Sequence, residues 1–205
     1  MPATAHIIEL SQRSFYGKLR KPKNKDVRAR EYLTPDEVEQ LMMAAGRVGR
    51  HPHRDKALIL LAYRHALRVS ELVALKWSQV DLKTGQLHVS RLKGGISATH
   101  PLRGVELRAL RKLQRDYPAT PYVFVSERGA SLTTSAIRKI LSRAGKTTLP
   151  FPVHPHMLRH ACGFYLANQG NDTRSIQIYM GHQNIQHTCR YTELAAKRFE
   201  PFWQD

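Results

Sequence analysis

Residues 154–192, HPHMLRHACGFYLANQGNDTRSIQIYMGHQNIQHTCRYT, constrain this chain more than any other stretch, because the fold must gather their polar groups. The apolar spacing reads as three helices, near 155–169, 172–180 and 184–190. His156, Arg159 and His160 fall at i, i+3 and i+4, roughly one helical face and one turn apart. His182 follows a glycine after an apolar helical run, and Tyr191 comes nine residues later, between Arg190 and Thr192. Imidazole and guanidinium donors converging on a phenol point to phosphoryl transfer to or from tyrosine. A phenol of pKa ~10 is a poor nucleophile unless cationic donors stabilise its anion and the transferring group.

At 205 residues the chain has room for one large domain or two small ones, with a sizeable core. Its 33 Lys and Arg against 16 Asp and Glu leave a formal charge of +17. Such a charge argues for a polyanionic partner, nucleic acid first and an anionic membrane second. The membrane reading is weak. No apolar run approaches the ~20 residues of a span, and the N-terminus carries no secretory apolar segment. Cys162 and Cys189, 27 positions apart and outside any CxxC, read as reduced packing thiols of a cytosolic protein.

The first thirty residues stand apart. RSFYGKLRKPKNKDVRAR holds eight Lys and Arg against one Asp, and reads equally as a solvated arm or as a segment laid along a phosphate backbone. Order begins at YLTPDEVEQLMMAAG. Thr34 is the N-cap, Pro35 the first helical residue and Glu37 the closing half of a capping box. Val38, Leu41 and Met42 give helical spacing, and Gly46 or Gly49 ends the run. RDKALILLAYRHALR reads as a largely buried second helix, and VSELVALKWSQV as a third, with Ser70 a candidate cap. The pattern then alternates. QLHVSRLK, a GG break and ISATHPL predict a β-hairpin over 86–102. GVELRALRKLQRDY returns to helix, YVFVS reads as a short strand, and LTTSAIRKILSRAG as a capped basic helix. The expected class is mostly α with a small antiparallel β-sheet. Residues 1–30 form a basic arm and 31–205 the folded domain.

Two upstream features join the C-terminal set. Arg68 has Glu71 three residues on, where a carboxylate can hold the guanidinium fork, although an ordinary helical ion pair has the same spacing. Lys93 sits at the hairpin tip in RLKGG, free to swing, and in a dry phosphate site its pKa can fall far enough to donate a proton. Three histidines raise zinc as an alternative. They lack HExxH spacing, and arginine beside them disfavours a dication, so no metal is expected.

Taken together, HxLRH, then GH, then a tyrosine nine residues on, with an upstream LR-x-SEL and a hairpin lysine, resemble the tyrosine recombinase (phage integrase) family. The resemblance runs from about residue 31 to the end. LILLAYRH, HPHMLRHACG and GHxNIxHTxRYT resemble most the small fimbrial phase-variation recombinases. It implies the catalytic-domain fold of that family, here without a full N-terminal core-binding domain.

By that resemblance Tyr191 attacks a scissile DNA phosphate, leaving a 3′-phosphotyrosyl link and a free 5′-hydroxyl. Arg68, Arg159 and His182 hold the non-bridging oxygens, Lys93 protonates the departing oxygen, His156 acts as base or proton relay, and Glu71 orients Arg68. The bond energy is kept in the protein–DNA link, so no cofactor is implied, neither ATP nor metal. The segment LTTSAIRKILSRAGK matches the family's major-groove helix, which makes Arg138, Lys139, Arg143 and Lys146 candidate DNA contacts. Implied partners are double-stranded DNA bearing recombination sites, a homo-tetramer formed on it, and accessory DNA-bending proteins. The implied setting is cytoplasmic, at the nucleoid, and the implied outcome is inversion of a promoter segment or resolution of plasmid or cointegrate multimers. A type IB topoisomerase and a non-catalytic DNA-binding regulator remain as other readings. The aromatic tail, with Phe199, Phe202 and Trp203, docks on a neighbouring protomer or folds back on its own core.

Overall fold

A computed structural model describes residues 31–91 and 94–193. The basic arm 1–30, the hairpin lysine Lys93, and the tail with Phe199, Phe202 and Trp203 lie outside the described residues.

Helix α1 (Pro35–Val48) starts as its sequence dictates. Thr34 Oγ1 accepts the Glu37 amide at 3.3 Å, and Glu37 Oε2 accepts the Thr34 amide at 2.8 Å. Gly49 ends it. Helix α2 (Pro52–Arg64) is buried along Ala57–Ala62, as a rod apolar on nearly all sides must be. It packs against α1, against α4 (Gly104–Asp116) and against α6 (Pro155–Asn168). With α5 (Thr134–Lys146), capped by Thr133 onto the Ala136 amide, these helices enclose the main core. Leu41, Leu58, Leu61, Leu110, Ile137, Leu141 and Leu158 are sealed within it. Each such side chain contributes about 1.5–3 kcal/mol of transfer free energy.

The sheet has three antiparallel strands in the order β1 (Val80–Asp81), β2 (Gln86–Val89), β3 (Ala98–Pro101). Leu87 pairs with His100 and Val89 with Ala98. Leu87 and Val89 face the core while Gln86 and His88 face out, the alternation a one-sided sheet requires.

Three local expectations are corrected. The second helix stops at Arg64, because Ala66 takes a left-handed conformation (φ 50°) that turns the chain. The third, α3 (Val69–Ala74), is capped at Arg68 rather than Ser70 and is much shorter than its apolar pattern. Trp77–Gln79 forms a 3₁₀ turn instead, and Val80 is taken up by β2. YVFVS is no strand. Tyr122 and Val125 make isolated bridges to Lys76 and Ser131, and the backbone between them bonds to Leu75 and Leu132.

Two short helices complete the described chain. Asp172 caps α7 (Thr173–Met180) by accepting the Arg174 and Ser175 amides, and α8 (Gln186–Glu193) carries Tyr191. They close a second apolar cluster of Ala66, Cys162, Phe164, Ala167, Ile176, Met180 and Tyr191. Among the described residues, no helix is long and apolar enough to cross a membrane.

Candidate active site

Arg68 begins α3 with extended backbone, which frees its amide and guanidinium to meet one carboxylate. Glu71 Oε2 accepts the Arg68 amide at 2.8 Å and Oε1 accepts Arg68 Nη1 at 2.9 Å. The second support for Glu71 comes from Arg91. Its guanidinium is wholly buried and donates to Glu71 Oε2 at 2.8 Å, to the carbonyls of Ala66 and His65 at 3.2 and 3.1 Å, and to that of Tyr179 at 2.8 Å. Burial alone would raise the Glu71 carboxyl, but the charge of Arg91 and the donors of Arg68 outweigh it and hold it below the usual range.

Arg159, on α6, reaches the same carbonyl from the other side. Its Nη1 donates to Ala66 O and its Nη2 to Met180 O at 2.7 Å. Two arginines thus share the carbonyl of a residue held in the left-handed region, the kind of backbone outlier that clusters at functional sites. Burial, then Arg68 and Arg91, lower the Arg159 guanidinium to about 10, so it stays charged at neutral pH.

Gly181, left-handed at φ 69°, ends α7 and turns the chain so that His182 faces this cluster. His182 Nδ1 meets Thr188 Oγ1 at 2.9 Å, and its carbonyl accepts from Gln177 at 2.9 Å. Burial, then Arg159 and Arg68, drive its imidazole down to about 3. It is therefore neutral, and Thr188 fixes which nitrogen is spoken for. The Tyr191 ring lies parallel to it with centroids 6.4 Å apart, edge-on to Phe164, and is only 1 % exposed. Burial pushes its phenol up to about 12, against the pull of Arg159 and Arg190.

Arg68, Glu71, Arg159, His182 and Tyr191 therefore share one locality. His156 stands at its edge, exposed, with its ring 6.3 Å from that of His160. Arg138, Lys139, Arg143 and Lys146 occupy an exposed stripe of α5 around a shallow depression of about 610 Å³. Arg143 also approaches the buried Asp55 carboxylate at 3.8 Å.

Several groups at the site carry no local signal in the sequence. Arg91 lies just after β2, yet nothing local in the sequence marks it as buried. His160 lies on the right helical face, but its spacing alone assigns it no role; its Nδ1 sits 2.8 Å from the Tyr191 hydroxyl. A buried chain of His100, His65 and Glu106 also lies behind Arg91, with His65 Nε2 2.7 Å from Glu106 Oε1 and the two imidazole Nδ1 atoms 3.2 Å apart. The cysteines are unpaired, Cys162 being buried with its thiol directed at the Arg64 carbonyl.

A helical domain with a small sheet, and a tyrosine set among arginines and histidines, defines a class. Residues 31–198 match the phage integrase family, and the chain belongs to it, as a tyrosine recombinase. Among its relatives are two type 1 fimbriae regulatory proteins of Escherichia coli K12. FimE is 44 % identical over 182 residues, covering 85 % of this chain and 91 % of FimE. FimB is 44 % identical over 188 residues, covering 88 % and 94 %. The crystal structure of XerA recombinase superposes with a TM-score of 0.73 at 28 % identity, over 85 % of this chain and 65 % of XerA.

Proposed function

We propose that this chain is a site-specific DNA recombinase that cuts and rejoins double-stranded DNA through a 3′-phosphotyrosyl link at Tyr191. The observation that carries the reading is a tyrosine packed against His182 and His160 within the field of Arg159, with Arg68 braced by a buried carboxylate. Tyr191 Oη bonds to phosphorus as the bond to the 5′-oxygen breaks. Arg68 and Arg159 carry the charge that builds on the non-bridging oxygens, and neutral His182 donates a hydrogen bond, the electrostatic contribution that dominates such reactions. Glu71 and Arg91 fix Arg68 in advance, so little reorganisation is needed when charge develops.

The remaining roles rest on the family resemblance. Lys93 protonates the 5′-oxygen, and His156 handles the tyrosine proton. The stripe on α5 lies in the major groove. The free protein keeps Tyr191 buried, so DNA must uncover it. A tetramer pairs two sites in the cytoplasm with the help of DNA-bending proteins, and inversion of a segment is the outcome favoured by the relation to FimE and FimB. Resolution of multimers uses the same chemistry.

The test uses duplexes carrying the sites that flank the gene, nicked beside the scissile phosphate so that a cleaved fragment diffuses away. Wild type should form a denaturant-resistant covalent complex. Tyr191→Phe should bind with unchanged affinity and form none. Covalent complex with Tyr191→Phe overturns the assignment, and relaxed circles without exchanged flanks would indicate a topoisomerase.

A further inference from the structure

We propose that His160 is a catalytic residue, the group that holds the Tyr191 hydroxyl and takes its proton as the phosphorus bond forms. The inference rests on Tyr191 being the nucleophile. It reassigns proton removal from the exposed His156 to the imidazole that touches the reacting oxygen.

Three observations support it. First, His160 Nδ1 lies 2.8 Å from Tyr191 Oη, the separation of a nucleophile and its base. Second, the tyrosine ring is seated tightly beside that contact. Gly163, one turn further along α6, presents bare backbone to the ring face, and a Cβ there would fall 2.7–2.8 Å from its Cζ, Cε1 and Cε2 atoms. Phe164 closes the edge at 5.1 Å and 89°. One helix thus carries Arg159, the base and the seat for the nucleophile. Third, the imidazole is neutral and so can take up a proton. Burial, then the charge of Arg190, lowers it to about 4, with Glu31 opposing and His156 and Arg159 adding to the fall. It is neutral at pH 7, and the tautomer protonated at Nε2 accepts the phenol's hydrogen bond at Nδ1.

The proton balance closes within the site. The phenolic proton moves to His160 Nδ1 as Tyr191 Oη bonds to phosphorus. The 5′-oxygen leaves with the P–O electron pair and takes its proton from Lys93, or from water. Rejoining runs in reverse, with imidazolium returning the proton to the tyrosine oxygen. Arg159 and Arg190 near the phenol favour the developing phenolate.

The experiment is single-turnover covalent-complex formation on the nicked duplex by wild type, Tyr191→Phe, His160→Asn and Lys93→Ala. An asparagine amide stands near the imidazole Nδ1 position, so it can keep the hydrogen bond but cannot accept a proton. His160→Asn should bind DNA as wild type does and cleave at least about 100-fold more slowly, the lower end of what a positioned base supplies. Replacing the bridging 5′-oxygen by sulfur separates base from acid, because a thiolate leaves unprotonated. That substrate should rescue Lys93→Ala and leave His160→Asn slow, a pattern a merely structural role would not give. His160→Gln serves as the second variant if Asn lowers Tm. Cleavage by His160→Asn within about threefold of wild type, or faster, overturns the proposal; faster cleavage would make the contact a lock. Rescue of His160→Asn by the sulfur substrate also overturns it. If wild type forms no covalent complex, the nucleophile assignment itself fails, and this inference with it.

Discussion

Arg91 and Glu71 form an ion pair of 2.8 Å from which water is excluded on both sides, and the second oxygen of that carboxylate is what holds Arg68. Breaking a buried pair by removing one partner leaves an uncompensated charge and costs about 3–5 kcal/mol. Arg91→Met should therefore lower the urea-unfolding free energy by that order and slow cleavage. Arg91→Met combined with Glu71→Leu removes both charges and should recover part of the stability, since the carbonyls of His65 and Tyr179 still lose their donor. Cleavage should stay low in the double variant, because Arg68 has no brace there. Recovery of both properties together would make the pair a packing device only.

Gly181 joins two demands at one position. Its φ of 69° is strained for any residue with a Cβ, and that Cβ would meet Arg91 Cγ and the Ile96 carbonyl, each at 2.6 Å. Gly181→Ala should therefore destabilise by about 1–3 kcal/mol, the range for overpacking a filled site. It should also reduce covalent-complex formation, because the residue directs His182. A thermal melt on wild type and variant gives the first quantity, and the nicked duplex the second. An unchanged Tm would show that the turn relaxes freely.

Two buried imidazoles and one half-buried one set a pH dependence. Burial drives His100 and His182 to about 3 and His160 to about 4. In the unfolded chain histidines take up protons near pH ~6.5. Between those values the unfolded state binds more protons than the folded one, so stability falls as pH falls from about 6.5. Each histidine contributes up to about 1.4 kcal/mol per pH unit in that window. Glu71 and Glu106, held below the usual carboxylate range despite burial, add their own decline only below the unfolded carboxylate pKa of about 4.5. Urea unfolding at pH values of about 7.5, 6.5 and 5.5 should show the fall in stability. His100→Gln should remove about one proton of its slope. A flat profile would show that these imidazoles titrate in the fold as they do in the unfolded chain.

Features written within a few residues were legible in the sequence. The Thr34–Glu37 box, the 86–102 hairpin and the breaks that separate α6, α7 and α8 are local chemistry, and the structure has them where the spacing put them. Arg91 and the His100–His65–Glu106 chain were not legible, because each of these interactions spans 20 or more positions and depends on how helices cross. The overlong third helix and the false strand YVFVS have one cause. Apolar runs state burial, and which backbone partner is nearby decides between helix, 3₁₀ turn and ladder. His160 illustrates the same division. Its face was readable from i+4 spacing, but its partner lay 31 residues away.

The α5 stripe tests the DNA reading independently of chemistry. Arg138, Lys139, Arg143 and Lys146 are exposed, while Ile137, Ile140, Leu141 and Ala144 anchor the opposite face in the core. Removing charge from the stripe should therefore leave the fold intact. Lys139→Gln with Lys146→Gln should leave Tm within about a degree, since surface changes of this kind stay within about ±0.5 kcal/mol. DNA affinity should fall similarly on specific and unrelated duplexes, and the slope of log K against log salt should become shallower by about 0.9 for each phosphate that is no longer neutralised. Arg138→Ala should instead weaken the cognate site more than an unrelated one, because arginine's bidentate fork suits a guanine edge. A weakening confined to the cognate duplex in the lysine variant, or an unchanged salt slope, would place the phosphate-binding groups elsewhere on the molecule.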